Sequence, residues 1–132
     1  NKHISPRNIM LAGFSQGGAV VLNTAYRGSF LKFKVGCVVV FSGFMPRPKY
    51  VLNNEECINA ANIPTHCYLG HGTDDALVKH VYGVKSGEIL KDRNVPVNFC
   101  SYDGVGHQVT EEMLSDAADF TKKQIVNSGV ES

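Results

Sequence analysis

The chain has 132 residues, enough for one domain, and a domain of this length buries roughly two thirds of the surface that the unfolded chain exposes. The formal net charge of +1 argues against nucleic acid or an anionic membrane surface as the main partner. No apolar run approaches the roughly eighteen residues of a spanning helix, so we expect no stable membrane insertion. We interpret residues 1–132 as a single domain.

Cysteine and histidine usage indicates neither a disulfide scaffold nor a metal site. The four cysteines are scattered, and none belongs to a Cys-x-x-Cys motif. Cys37, Cys67 and Cys100 fall in strand-like runs, where a free cysteine behaves as a small buried hydrophobe. The five histidines show no paired ligand spacing, so we expect no bound metal. We therefore expect a reduced, cytoplasmic protein.

The first predicted strand is the short apolar run Ile9–Ala12, and the helix-compatible run Ala19–Ala25 follows it. The strand is apolar on both faces, as an interior strand of a parallel sheet is. An interior strand needs a neighbour on each edge, because unpaired buried backbone groups are costly. We therefore expect the chain to be the C-terminal portion of a longer protein that supplies earlier strands.

Strands and helices alternate along the rest of the chain. Further strands are predicted over 35–41, 65–70 and 97–102, and helices over about 78–91 and from 110 to about 127. Two prolines predict a loop over 42–48, and a short helix is expected within 53–62. The alternation predicts an α/β fold, with a mostly parallel sheet of about four strands and flanking helices. Active groups of such sheets gather in the loops at the carboxyl ends of the strands.

The stretch Gly13–Gly18 reads Gly-Phe-Ser-Gln-Gly-Gly and connects the first strand to the first helix. A strand, a Gly-x-Ser-x-Gly turn and a helix form the nucleophile elbow of α/β-hydrolases, in which the serine hydroxyl stands clear of the sheet. We expect a Cβ atom at Gly13 or Gly17 to collide with neighbouring atoms of so tight a turn. The spacing fits neither the dinucleotide fingerprint nor the phosphate loop. The alternative is an ordinary glycine-rich turn.

Ser15 needs a positioned base, because a serine hydroxyl is a poor nucleophile near neutral pH. His107 is the candidate base, since it follows the last predicted strand and precedes the last helix. Asp74, Asp75 and Asp103 are candidates for the carboxylate that orients such a base. Spacing does not distinguish Asp74 from Asp75, while Asp103 has the position of a turn former. The order serine, aspartate, histidine is that of α/β-hydrolases.

Residues near these three supply candidates for substrate binding. The backbone N–H of Gln16, directly after the nucleophile, is the first candidate oxyanion donor. A second donor normally comes from a loop after an earlier strand of the sheet, and no such strand precedes Ser15 in this sequence. The candidates for an apolar acyl pocket are Phe44, Met45, Pro46, Leu77 and Val78. Ordinary packing explains these five side chains equally well.

Four stretches together carry a family resemblance: Gly13–Ala19, Ser42–Pro46, His71–Val78 and Tyr102–His107. In this order, and over essentially its whole length, the chain resembles the acyl-protein thioesterase/lysophospholipase (phospholipase–carboxylesterase) family of α/β-hydrolases. The resemblance assigns the nucleophile to Ser15, the base to His107, and the acid to Asp75, which lies two residues before a Leu-Val pair. Ala76 stands where the family has proline. The family's first strands and its oxyanion loop have no counterpart in these residues.

The resemblance implies a cytoplasmic serine hydrolase that works through an acyl-serine, without metal or cofactor. Its substrates would be thioesters of S-acylated proteins (depalmitoylation), or oxyesters of lysophospholipids and small esters. It also implies a complementary N-terminal segment as a partner.

Two other functions remain as alternatives. Another α/β-hydrolase, such as a general carboxylesterase, is the enzymatic alternative, whereas a dienelactone hydrolase would typically carry cysteine in place of Ser15. The alternative from another class is a non-catalytic, hydrolase-like domain that binds acyl chains or partner proteins. The presence of Ser15, Asp75 and His107 together argues against this last possibility.

Overall fold

The structure is a computed structural model that describes residues 3–28, 30–47 and 58–130, with side chains described as far as residue 125. A single 3-10 turn, Pro6–Asn8, precedes the first strand. The strands are β1 (Met10–Phe14), β2 (Cys37–Phe41), β3 (Cys67–Gly72) and β4 (Val97–Tyr102). The helices are α1 (Gln16–Tyr26), α2 (His80–Asp92) and α3 (Glu111–Val130). The predicted alternation of strands and helices is confirmed.

The four strands form one parallel sheet in the order β1-β2-β3-β4. Every residue of β2 and β3 is buried, which explains their continuous apolar, β-branched composition. Because all four strands are parallel, their carboxyl ends lie along the same edge of the sheet. The loops that carry Ser15, Asp75 and His107 all leave from that edge.

Apolar side chains cover the two faces of the sheet in separate clusters. The cluster on the α1 and α2 side includes Leu22, Tyr26, Val38, Val40, Leu69 and Leu90. The cluster on the α3 side includes Cys37, Val39, Tyr68, Tyr102, Met113 and Phe120. Successive residues of β2 thus point to opposite helical layers, as the period of two in a strand requires. The helices packed on both faces fix the strands, and the strands in turn fix the positions of the loops at their carboxyl ends.

The cysteines behave as the sequence indicates within the described part of the chain. Cys37 and Cys67 are buried free thiols at the starts of β2 and β3, and Cys100 is a partly buried one in β4. Burial raises the pKa of Cys67 to about 12, so this thiol stays protonated and unreactive. Cys57 lies outside the described residues.

In the described sheet β1 is an edge strand, whereas its apolar composition predicts an interior position beside the earlier strands of a longer protein. β1 pairs with β2 along one edge, and no described strand lies along the other. As a result Met10 and Phe14 are 42% and 41% exposed, although their apolar character is that of buried residues. The apolar composition of β1 is typical of a strand that is covered by neighbouring elements. In the described chain the only strand that pairs with β1 is β2.

Two further expectations need correction. Of the short helix expected within 53–62, residues 53–57 lie outside the described part, and the rest forms a bridge and turns. There Asn59 and Asn62 use their side-chain amides to bond the carbonyls of Leu31 and Phe33, at 2.8 and 3.0 Å. Such side-chain bonds compete with helix formation. The last helix, expected to fray from about residue 127, continues to Val130.

Candidate active site

Ser15 occupies the sharp turn between β1 and α1. Its φ of 57° and ψ of −122° lie in a region that residues other than glycine rarely adopt. Its backbone N–H donates to the carbonyl of Phe41 at 2.9 Å, which fixes the turn against β2. The serine side chain forms no capping hydrogen bond with the helix. A strained serine with an uncommitted hydroxyl is the geometry of a nucleophile elbow.

Two glycines make this turn possible, of which the sequence indicated one correctly. A Cβ atom at Gly13 would overlap the backbone carbonyl of Gly17, so that expectation agrees with the structure. A Cβ atom at Gly17 has no described neighbour within 4 Å, so the predicted collision there is wrong. The second tight position is Gly18, where a Cβ would lie 2.6 Å from Val40 Cγ1. The doubled glycine matters because α1 crosses β2 closely at Gly18.

Asp75 and His107 lie in contact, although 32 residues separate them in sequence. His107 Nδ1 is 2.8 Å from Asp75 Oδ2. The other carboxylate oxygen, Oδ1, accepts the backbone N–H groups of Leu77 at 3.0 Å and Val78 at 2.8 Å. The Asp75 side chain is fully buried and that of His107 is mostly buried. The acid loop therefore wraps around its own carboxylate and presents one oxygen to the imidazole.

The other two candidate aspartates make different contacts. Asp74 is exposed, and its backbone N–H donates to the carbonyl of Val105 at 2.9 Å. Asp103 is also exposed, and Thr73 Oγ1 lies 3.4 Å from its Oδ1. These contacts tie the loop after β3 to the loop after β4, which keeps His107 facing Asp75. Of the three aspartates, only Asp75 contacts the imidazole.

Hydrogen bonds determine the charge state of Asp75. Burial by itself raises the pKa of this carboxyl, because the charged form loses water. The bond from His107 and the backbone bonds from Val78 and Leu77 outweigh that effect and hold the pKa of Asp75 below its usual value. Asp75 is therefore a carboxylate near neutral pH, as a residue that orients an imidazole must be.

The structure shows no hydrogen bond between the side chains of His107 and Ser15, and His107 instead contacts Phe14. The ring of His107 packs against the ring of Phe14, the residue before the serine, with centroids 4.8 Å apart. Its Nδ1 bonds Asp75, so Nε2 is the nitrogen left for Ser15. Catalytic hydrogen bonds are often long before substrate binds. The catalytic roles of the three residues thus remain a prediction, supported by the bond between His107 and Asp75 and by the contact of His107 with the residue before Ser15.

Gln16 is the first residue of α1, directly after the nucleophile. The backbone N–H groups of a helix's first turn have no partner within the helix, and they point towards its positive end. The backbone N–H of Gln16 is thus in the place where an oxyanion donor is expected, and its role stays a prediction.

The predicted acyl-pocket residues line one groove. A cavity of about 720 Å³ lies between the loop after β2 and helix α2, and its lining includes Phe44, Met45, Pro46, Leu77 and Val78. Phe44 and Pro46 also line a second groove, which runs past Gln16 and along α1. The Phe44–Pro46 loop thus separates the groove of the acid loop from the groove of the elbow. The structure brings the predicted residues together, and their role in binding is untested.

Sequence reasoning assigned no role to three residues of this region. Ser86 on α2 accepts the backbone N–H of Met45 at 2.7 Å and so fastens the groove loop to the helix. Ser42 adopts a φ of 53°, and its buried hydroxyl has no partner among the described residues. His71 lies against Asp75, with its Nε2 3.4 Å from Oδ2. The only sequence signal for His71 was its place in the His71–Val78 motif.

The described residues also bear on metal binding and membrane crossing. They contain no cluster of three or more histidine, cysteine, aspartate or glutamate side chains that could hold a metal ion. None of the helices in the described ranges is long and apolar enough to cross a membrane.

Comparisons with known proteins agree with this geometry. The family model described as Phospholipase/Carboxylesterase matches residues 1–125. The chain belongs to the phospholipase/carboxylesterase family. Among its relatives, acyl-protein thioesterase 1 of Debaryomyces hansenii is 39% identical over 121 residues, which cover 91% of this chain and 50% of that protein. Acyl-protein thioesterase 1 of Saccharomyces cerevisiae is 33% identical over 127 residues, covering 95% of this chain and 53% of that protein.

Solved structures show the same fold. Arabidopsis thaliana SOBER1 superposes with a TM-score of 0.82 at 26% identity, covering 92% of this chain and 55% of the SOBER1 chain. The four parallel strands with flanking helices are those of the α/β-hydrolase fold, so the predicted fold class is confirmed. The chain spans about half the length of the curated relatives that it matches. The residues that match the family model include the turn between β1 and α1 and the loops after β3 and β4.

Proposed function

We propose that this family member is a serine hydrolase, and that it cleaves acyl thioesters of S-acylated proteins or carboxylic esters such as lysophospholipids. The observation that carries this proposal is the 2.8 Å bond between His107 Nδ1 and the buried carboxylate of Asp75, beside the strained elbow of Ser15. The names of the thioesterase relatives support the thioester as substrate. We propose the cytoplasm as its location, where S-acylated proteins are exposed.

In the proposed reaction, His107 Nε2 removes the proton from Ser15 Oγ as the oxygen attacks the acyl carbon. Asp75 holds the Nδ1–H and stabilises the imidazolium that forms. The negative charge on the former carbonyl oxygen is stabilised by the Gln16 N–H and the positive end of α1. His107 then protonates the leaving thiolate or alkoxide, and water releases the acyl group from Ser15 by the same steps. The scheme uses only side chains, backbone and water.

The groove beside the acid loop is the proposed acyl site. Its lining includes the apolar side chains of Phe44, Met45, Pro46 and Leu77, and its volume of about 720 Å³ suits an alkyl chain. Each methylene group that leaves water for such a surface contributes about 0.8 kcal/mol. A groove of this kind favours longer acyl chains over acetate, whether the bond cleaved is a thioester or an oxyester.

We further propose that full activity needs a complementary segment that pairs with the outer edge of β1. The edge is apolar and has no described partner strand, and the chain covers only about half of its relatives. Such a segment would supply the second oxyanion donor beside Gln16. Loss of one such donor lowers a rate by on the order of a hundred- to a thousand-fold.

A fluorophosphonate probe tests the proposal directly, because it forms a stable adduct with an activated serine. We expect the intact mass of the chain to increase by one adduct, and this increase to disappear in Ser15→Ala and His107→Ala. An adduct that persists in Ser15→Ala would contradict the assignment of the nucleophile. If the chain alone does not react, the experiment is repeated with a segment from a relative that precedes the aligned region.

The missing Ser15–His107 hydrogen bond favours one other function, a non-catalytic domain that binds acyl chains. Its signature would be binding of a fluorescent fatty acid without any fluorophosphonate adduct, with or without the complementary segment. A general carboxylesterase would instead form the adduct and cleave small oxyesters while leaving thioesters intact.

A further inference from the structure

His71 is a buried histidine, and the proposed reaction scheme gives it no role. It is the second-to-last residue of β3, four residues before Asp75, and is only 2% exposed. Its Nε2 is 2.7 Å from the backbone carbonyl oxygen of Val78 and 3.4 Å from Asp75 Oδ2. A buried imidazole with two polar neighbours in the acid loop calls for a physical explanation.

The contact with Val78 fixes which nitrogen of His71 carries hydrogen. A carbonyl oxygen only accepts hydrogen bonds, so Nε2 must be the donor. The other nitrogen, Nδ1, faces Gly83 on α2, where an added Cβ would overlap it. Burial lowers the pKa of His71, which agrees with a neutral ring whose Nε2–H points at the acid loop. The groups that interact electrostatically with the ring are Asp75, His80 and His107.

The same loop residue is held from both sides. The carbonyl of Val78 accepts from His71, while the N–H of Val78 donates to Asp75 Oδ1. His71 thus anchors the loop segment whose backbone N–H groups orient the carboxylate, and its Nε2–H also lies near the oxygen that faces His107. Gly83 leaves the space that the ring needs, although glycine is a poorer helix former than alanine.

We propose that His71 is a positioning residue that locks the acid loop and thereby aims Asp75 at His107. This inference rests on the proposed role of Asp75 as the acid of the triad. His71 does not touch the reacting atoms, and it acts through the Val78 carbonyl and the carboxylate. A mainly structural role would instead affect stability alone.

NMR titration of the Asp75 carboxyl carbon tests this without requiring activity. We expect His71→Leu to raise the pKa of Asp75 by about one unit, because the loosened loop withdraws its N–H donors from a buried carboxylate. His71→Gln, whose amide can restore the donor, should leave the pKa near that of the unmodified chain. His80→Gln is the matched control, since His80 packs edge-on against His71 with centroids 5.8 Å apart but bonds Ser101. It should cause no shift.

The outcomes separate this proposal from the proposed function. His71→Leu that lowers the melting temperature but leaves the Asp75 titration unchanged overturns the positioning role, as does an equal shift in His80→Gln. If His71→Leu does not fold, Gly83→Ala displaces the ring while keeping the imidazole, and an unchanged Asp75 titration in that variant also overturns it. His107→Ala tests the triad separately, because removing that donor must raise the pKa of Asp75 if the pair exists in solution.

Discussion

The two halves of the candidate site differ in how completely the chain builds them. Asp75 is buried and held by Leu77, Val78 and His107, and its loop is tied to the loop after β4. Ser15 instead follows an edge strand with an exposed apolar side chain, and it forms no hydrogen bond with His107. The acid–base half is fixed by contacts within the described chain, whereas the nucleophile half is held from the β2 side only.

Different contacts position the two halves of the site. The acid loop folds onto its own carboxylate, so its geometry needs little beyond β3, β4 and α2. The elbow depends on close backbone approach between β1, α1 and β2, at Gly13 and Gly18. Changes in the elbow should therefore reduce stability through steric overlap, and changes in the acid loop through lost electrostatic bonds.

Gly13→Ala should be the most damaging small change in the elbow. Its Cβ would meet backbone atoms of Gly17 and Gly18, which cannot rotate away. We expect the free energy of unfolding in urea to fall by about 1–3 kcal/mol or more, as for other overpacked sites. Gly17→Ala is the matched control, since its Cβ meets no described atom within 4 Å. It should be neutral or stabilising by up to about 1 kcal/mol. Equal losses in both variants would contradict the steric account.

Asp75→Asn should make the acid half less stable in a pH-dependent way. The folded pKa of Asp75 lies below the unfolded value of about 3.9, so the carboxylate stabilises the fold above that pH. This stability is lost as the pH falls through the folded pKa. Urea unfolding should show Asp75→Asn less stable by about 1–3 kcal/mol at pH 7, with the difference narrowing below about pH 4. The exposed Asp74→Asn should differ from the unmodified chain by less than about 0.5 kcal/mol. A pH-independent difference for Asp75→Asn would refute the argument.

Much of the fold was predictable because its signals are local. Apolar runs and their alternation with helical stretches located all four strands, and the strand over 97–102 agrees with β4 at both ends. The elbow was readable for the same reason, since its strand, turn and helix are contiguous in sequence. What local patterns do not contain is the neighbour across the sheet. The second tight glycine was therefore placed at Gly17 instead of Gly18, where the close neighbour is Val40 of β2.

Local sequence patterns were also insufficient for the acid–base half of the site. Spacing alone left Asp74 and Asp75 equivalent, and the choice came from a family resemblance. The two aspartates differ in their contacts in the folded chain. Only the Asp75 side chain points inward, where it accepts hydrogen bonds from Leu77, Val78 and His107. The contact between His71 and Val78 was likewise invisible, since nothing in a sequence states that a strand residue bonds a loop carbonyl seven residues later.

Leu77→Ala separates substrate binding from loop geometry, and it carries the smallest expected effect on stability. The backbone N–H of Leu77 orients Asp75, while its side chain is 77% exposed and lines the proposed acyl groove. Alanine keeps the N–H, so the free energy of unfolding should change by less than about 0.5 kcal/mol.

The proposed acyl site predicts a loss that grows with chain length. The assay uses untreated protein from a preparation that forms the fluorophosphonate adduct. For Leu77→Ala, kcat/KM should fall up to about tenfold for p-nitrophenyl octanoate and little for p-nitrophenyl acetate, because only the longer acyl chain reaches the lost methyl groups. Val81→Ala is the matched control, since Val81 is 46% exposed but does not line the groove. An equal loss of kcat/KM on both esters would mean that the Leu77 side chain acts by positioning Asp75 rather than by contacting the acyl chain. The groove residue Leu77 would then belong functionally to the acid–base half of the site.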